Sequence, residues 1–307
     1  MSTRRVPWWE GNPRLEDVAC EGSIFLNQGR RAVRCHGFLG ARLRSGSLRP
    51  QEQRGVGDGI LLDFKKGFFA VSDSSDRDPS FSRKFLLRFS EALDGLDGIG
   101  SGRVFSAAGL AALKAELETR SATVLCEMSS TESCTLTGVL ILPTEAGRQG
   151  LVLHTGDSLL LKCDLGARET QRITENNFWM VGRTRRFFQV EYVFLMERTR
   201  LLLATDGFSG LQAPESESGV AFIQRLFDEH PVEEVPDVLI DGYDLVERVR
   251  DDLALVSLDP SQIFFADRRI VLGGTTNDLE RRFQEGLTSG RYRNSYEPMP
   301  RAGMSLL

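Results

Sequence analysis

Histidine is scarce in this chain: 307 residues hold three (His36, His154 and His230), all far apart. A histidine-built zinc site or a Ser-His-Asp arrangement is therefore not expected. The five cysteines (Cys20, Cys35, Cys126, Cys134 and Cys163) are odd in number and include no Cys-x-x-Cys pair. That excludes a disulfide framework and a thiolate zinc site as first readings, and it points to a reducing compartment. Apolar runs of membrane-spanning length are missing, and Met1–Glu10 lacks the apolar centre of a secretion signal. A cytoplasmic location with no membrane partner is the expectation. Excess positive charge is missing too: with a net charge of −5, nucleic acid is not an expected partner. Internal repeats and long low-complexity tracts are also absent, so solenoids and arrays are set aside.

What remains is an ordinary globular composition, 41% hydrophobic and 26% charged, with enough chain to bury a core without staples. Three regions are expected. Residues 1–50 read as an arginine-rich N-terminal extension contributing an early strand, with one candidate at Ser23–Leu26 and another around Ala32–Arg42. Residues 51–262 read as the main domain, and residues 263–307 as a C-terminal strand, helix and tail.

Gly59–Asp63 and Gly67–Ser72 are apolar runs of strand length around the polar turn at Phe64–Gly67, which predicts a hairpin. Pro79–Leu93 places Phe81, Phe85, Leu86, Phe89 and Leu93 at helical spacing, and Phe105–Thr119 repeats the pattern. Strands are predicted at Thr135–Leu142, Leu151–Thr155, Leu159–Cys163, Glu191–Leu195, Arg200–Thr205, Leu253–Leu258 and Arg268–Leu272. Helices are predicted at Val220–Glu229, at Tyr243–Arg250 and after the capping pattern Asn277-x-x-Glu280. Strands arrive as hairpins and helices in pairs, which is an α+β pattern.

Four aspartates sit where apolar strands begin or end: Asp58, Asp73, Asp206 and Asp251. A hairpin symmetric about Lys65 and Lys66 sets Asp58 opposite Asp73 at its open end. Asp206 ends the run Leu201–Thr205 and Asp251 precedes Leu253–Val256, so antiparallel pairing brings both to one sheet edge. Two carboxylates that close repel unless a proton or cation lies between them. Oxygen-only clusters suit Mg²⁺ or Mn²⁺. Aspartate is also a common turn residue at strand ends, and spacing alone leaves both readings open.

At these same residues the sequence resembles the PPM, or type 2C, metal-dependent serine/threonine phosphatases, from about Arg54 to Leu258. Phe69-Ala70-Val71-Ser72-Asp73 resembles the family's strand ending in a metal-binding Asp. Leu151–Ser158 (LVLHTGDS) resembles its strand and Gly-Asp-Ser turn, and Leu202–Gly207 (LLATDG) its Ser/Thr-Asp-Gly motif. Asp251–Val256 resembles its Asp-Asn strand start, with Asp252 in place of Asn, and Arg54–Asp58 (RGVGD) loosely resembles its opening Arg…Asn-Glu-Asp.

The resemblance implies an α+β fold of two antiparallel β-sheets packed face to face between pairs of helices. It implies that Asp58, Asp73, Asp206 and Asp251 hold two Mn²⁺ or Mg²⁺ ions. The carbonyl of Ser74 becomes a further ligand, Asp157 belongs to a rim that holds a third, weaker ion, and Arg54 binds the phosphate. The implied reaction is hydrolysis of phosphoserine or phosphothreonine by metal-activated water, with a phosphorylated protein and its kinase as partners and a monomer as the working unit. Three departures weaken the expected activity. Gly57 replaces an acidic residue, Arg54 lies one residue closer to Asp58 than usual, and Ser74-Ser75-Asp76-Arg77 replaces a glycine-rich turn. The alternative is a catalytically impaired module of the same fold that binds phosphoproteins or regulates. In the family a mobile flap precedes the Asp206 motif. Here Phe178–Phe194 mixes aromatics with Arg183, Arg185 and Arg186, either as a basic aromatic surface or as a hairpin with core aromatics. Gly98-x-Gly100-x-Gly102 reads as an interhelical loop, and His154 as a packed histidine.

Overall fold

The structure, a computed structural model, describes residues 32–46, 56–75, 79–100, 102–211, 218–243, 251–263, 265–266, 268–276 and 304–306. One sheet contains β1 (Ala32–Cys35), β2 (Leu39–Arg44), β7 (Leu159–Asp164), β8 (Glu169–Arg172), β10 (Thr199–Ala204), β11 (Leu253–Leu258) and β13 (Met304–Leu306). Its order is β13-β1-β2-β11-β10-β7-β8. The other contains β3 (Gly59–Asp63), β4 (Phe68–Ser72), β5 (Leu136–Thr144), β6 (Gly147–Thr155), β9 (Gln189–Leu195) and β12 (Arg269–Gly273), in the order β12-β3-β4-β5-β6-β9. Every one of these pairings is antiparallel. The α+β class and the two facing sheets expected from the sequence are present.

Side-chain alternation explains the layering. In β3, Ile60 and Leu62 join Phe69, Val139, Leu203 and Val256 between the sheets, while Leu61 faces the opposite way. That outer face is covered by α1 (Phe81–Asp94) and α2 (Ala107–Glu127), whose Phe85, Phe89, Leu113 and Leu117 pack on Leu61, Phe68 and Leu140. The first sheet is covered by α3 (Gly219–Glu229) and α4 (Val235–Tyr243), through Phe222, Leu226 and Leu239 against Leu202 and Leu255. Both faces of the central strands are therefore dry, which is why β3 and β11 read as continuous apolar runs. Between the sheets Phe38, Phe64 and Phe69 meet edge-on with ring centroids 5.5, 5.7 and 6.2 Å apart. Each such contact adds roughly 0.5–1.5 kcal/mol beyond the area it buries.

Some elements differ from expectation. The single strand expected around Ala32–Arg42 is a hairpin, β1 and β2, because Gly37 adopts φ 69° and turns the chain. A helix that was not expected, α4 at Val235–Tyr243, carries Pro236 in its first turn and Gly242 near its end, which hid it. Strand β8 (Glu-Thr-Gln-Arg) is a polar edge strand with no apolar signal. Residues 244–250, the Ser23–Leu26 segment and the Asn277–Glu280 capping pattern lie outside the described residues. The Gly98–Gly102 stretch lies between α1 and α2. No helix among the described residues is long and apolar enough to cross a membrane.

Candidate functional site

The first hairpin has the register its symmetry requires: Gly59 pairs with Ser72 and Ile60 with Val71. Asp58 and Asp73 consequently leave the open end side by side, and their carboxyls are in hydrogen-bonding contact. Asp58 is 1% exposed. Burial, followed by neighbouring negative charge, holds both well above the usual carboxylate range. Strands β10 and β11 pair Ala204 with Leu255, so Asp206 and Asp251 reach the same end of the sandwich. Asp157, on the turn between β6 and β7, joins them: Asp206, Asp251 and Asp157 all act on Asp73 through their charge. Asp206 is pushed up to about 6, by burial first and then by Asp251 and Asp157. Its Oδ1 is buried and has no hydrogen-bond partner among the described residues.

Neighbouring strands fix this end in detail. Thr205 Oγ1 donates to Asp58 Oδ2 at 2.6 Å and accepts the Ala254 N–H at 2.8 Å, tying β10 and β11 to the hairpin. The Asp58 carbonyl accepts the Gly274 N–H at 2.7 Å, just past β12. Asp73 is held by Thr135, whose Oγ1 accepts the Asp73 N–H at 2.9 Å and whose N–H donates to the Asp73 carbonyl at 2.8 Å. Gly207 packs so closely that a Cβ there would lie 2.1 Å from the Asp252 carbonyl oxygen, which accounts for glycine after Asp206. Asp252 is wholly buried and binds two backbone amides.

The serine after Asp73 fits. Among the described residues Arg168 is the one non-glycine with positive φ, so Ser74 needs none of the conformational freedom that glycine supplies. Its hydroxyl instead accepts the Ser82 N–H in the first turn of α1 at 2.6 Å, a role that the N-cap Ser80 side chain leaves open. Asp76, like Arg54, lies outside the described residues. Asp58 and Asp73 touch, whereas Asp206, Asp157 and Asp251 surround them, the last two on the surface. Among the described residues no three His, Cys, Asp or Glu side chains converge as a ready ligand set. The sequence reading named the five aspartates but passed over Thr135, Ser82 and Thr205. Only Thr205 carried a signal, standing between an apolar run and Asp206.

No model of a known protein family matches the chain, and no curated protein matches it. Solved structures do. The Mycobacterium tuberculosis serine/threonine phosphatase PstP/Ppp is 18% identical and superposes with a TM-score of 0.53, covering 74% of this chain and 98% of that one. The PPM Ser-Thr phosphatase MsPP from Mycobacterium smegmatis, in complex with cacodylate, is 16% identical, with a TM-score of 0.51 and coverage of 72% and 97%. PppA, a regulatory component of the type VI secretion system of Pseudomonas aeruginosa, is 16% identical, with a TM-score of 0.52 and coverage of 75% and 98%. The fold is that of the PPM serine/threonine phosphatases.

On this PPM fold the remaining candidates take structural places. His154 is buried, with Nδ1 on Thr137 Oγ1 and Nε2 on the Glu175 carbonyl, both at 2.8 Å, and burial lowers its pKa. Cys35, Cys134 and Cys163 are buried free thiols raised by burial. The 178–194 segment is not the hairpin expected as one reading: irregular chain leads into the single strand β9, which pairs with β6. Phe187 is buried against Phe89, while Trp179 stacks edge-on to Phe188 at 5.7 Å with Arg186 over its ring at 5.3 Å. Thr205 gives a first test of how the PPM end is held. Thr205→Val removes the donor to Asp58 and the acceptor for Ala254, and is expected to cost about 1–3 kcal/mol in denaturant titration. A midpoint equal to wild type would show that these bonds contribute nothing net.

Proposed function

We propose that the chain is a metal-dependent serine/threonine phosphoprotein phosphatase. The observation that supports this most is the Asp58–Asp73 contact, buried and joined by Asp206, whose Oδ1 has no partner among the described residues. Among the described residues, the charges acting most strongly on these three are other aspartates. Buried like charges need a proton or a cation between them. The donors are all oxygen, a set suited to Mn²⁺ or Mg²⁺. The catalytic domain of PstP, 19% identical with a TM-score of 0.52, is a structure with two manganese ions.

In this reading Asp58, Asp73, Asp206 and Asp251 hold two ions, with the Ser74 carbonyl as a further ligand and Asp157 on a rim for a third. When bound, such ions lower the pKa of a water and orient it toward phosphorus. The residues do the rest. Thr205 fixes the Asp58 carboxylate, and Thr135 fixes the backbone of Asp73. Arg54 receives the phosphate, through the bidentate contact guanidinium geometry favours. A phosphorylated protein in the cytoplasm is the substrate class.

The test is hydrolysis of a phosphothreonine peptide by the purified chain. Turnover is expected with Mn²⁺ and none with EDTA. A folded, Mn²⁺-loaded protein without turnover overturns the enzyme reading. It would favour the second one, a PPM-fold binding module, which draws on the absence of a converged three-residue ligand set among the described residues.

A further inference from the structure

Asp252 stands at the start of β11, where the family resemblance implies asparagine. Its side chain is fully buried, and its two oxygens have separate tasks. Oδ1 accepts the Gly46 N–H at 2.8 Å and Oδ2 accepts the Gly57 N–H at 2.6 Å. Gly46 follows β2 and Gly57 immediately precedes Asp58, so the carboxylate joins both ends of the connection that carries Arg54. The Asp252 N–H donates to Asp251 Oδ1 at 2.8 Å, and its carbonyl packs against Gly207, the neighbour of Asp206. The other side of Gly57 is also fixed, since its carbonyl accepts Ser82 Oγ at 2.7 Å. Asp252 therefore touches the backbone or side chain beside three of the four proposed ligands.

We propose that Asp252 is a positioning residue that clamps Gly46 to Gly57 and thereby sets where Asp58 presents its carboxylate to a divalent ion. The inference rests on the phosphatase reading above. Two departures from the family pattern meet here: the acid missing at Gly57 and the acid gained at Asp252 are in direct contact. The acceptor needs to be a carboxylate. An asparagine has one acceptor oxygen, and its NH₂ would face one of the two amides donor against donor. Outer residues that orient a metal ligand commonly change metal affinity by 10–100-fold when replaced.

The full chain, Asp252→Asn and the exposed charge control Asp97→Asn are titrated with Mn²⁺, and free ion is followed by its electron paramagnetic resonance signal. Asp252→Asn is expected to raise the Mn²⁺ Kd about tenfold, with Asp97→Asn equal to wild type. Equal Kd in wild type and a folded Asp252→Asn overturns the proposal, as does an equal rise in Asp97→Asn. If wild type binds no Mn²⁺, the phosphatase reading fails instead, and amide exchange decides the clamp. Slow exchange at Gly46 and Gly57 in wild type that becomes fast in Asp252→Asn upholds it. Fast exchange in wild type overturns it, a result that also serves if the variant does not fold.

Discussion

Asp73→Asn is expected to lower Mn²⁺-dependent kcat/KM toward a phosphothreonine peptide by about 10³-fold and, in the same protein, to raise the melting temperature in EDTA. The first effect follows from losing an anionic ligand: several kcal/mol of charge stabilisation disappear, and each 1.4 kcal/mol is tenfold in rate. The second follows from the site itself. Asp73 is held above the usual carboxylate range by burial and then by Asp206, with Asp251 and Asp157 adding to it. Ionising it at neutral pH without a cation therefore costs stability, and an amide of the same shape removes that cost while leaving the Thr135 contacts to the Asp73 backbone in place. Asp206→Asn is expected to behave in the same way. The paired outcome matters because a mutation that merely damages the fold lowers both activity and melting temperature. Retained turnover in Asp73→Asn would remove it from the ligand set, and a fall in the EDTA melting temperature would mean the carboxylate stabilises the metal-free protein.

Much of this site was legible before any coordinates, for a simple reason. A tight hairpin with both faces buried has one register, and in β3–β4 the turn at Lys65–Lys66 determines it, so Asp58 and Asp73 had to meet. The same reasoning placed Asp206 beside Asp251 once β10 and β11 were antiparallel neighbours. What holds the aspartates was not legible. Thr205, Thr135 and Ser82 act through hydrogen bonds between elements 25 to 147 residues apart in sequence, which periodicity does not report. Asp252 was visible as an unusual residue, but its partners Gly46 and Gly57 carry no side chain to signal a contact. The misread elements share another cause. Gly37 splits an apolar run that looks like one strand, and Pro236 opens a helix that looks like a loop. The family resemblance puts a glycine-rich turn at Ser74, whereas here a hydroxyl that caps α1 makes serine useful.

The metal-free protein is expected to lose stability as pH rises from about 5 to 8, and Mn²⁺ is expected to restore it at the alkaline end. Asp58, Asp73 and Asp206 all have folded-state pKa values raised above the unfolded value, so their favourable contribution is complete below about pH 4 and is lost as pH climbs. For Asp206 the loss falls between about pH 4 and its folded value of about 6; for the more deeply buried pair it extends higher. Asp206 is half-buried, so after allowance for screening it contributes about 1–2 kcal/mol, a few degrees of melting temperature for a chain of this size. Three groups shift the other way. Asp94 and Asp241, lowered by Arg269 and Arg42, give stability that is lost only as pH falls below the usual carboxylate range, outside the window tested. His154 is lowered by burial and so favours higher pH within it. Subtracting the Asp73→Asn profile from wild type cancels His154 and leaves the aspartate contribution. Calorimetry in EDTA should show this difference growing with pH, and Mn²⁺ at 100 times its Kd should add about 2.7 kcal/mol per site at pH 7.5 and less at pH 5.5, where protons compete for the same oxygens. Parallel profiles for the two proteins, or a melting temperature indifferent to Mn²⁺ at both pH values, would mean that these carboxylates are not waiting for a cation.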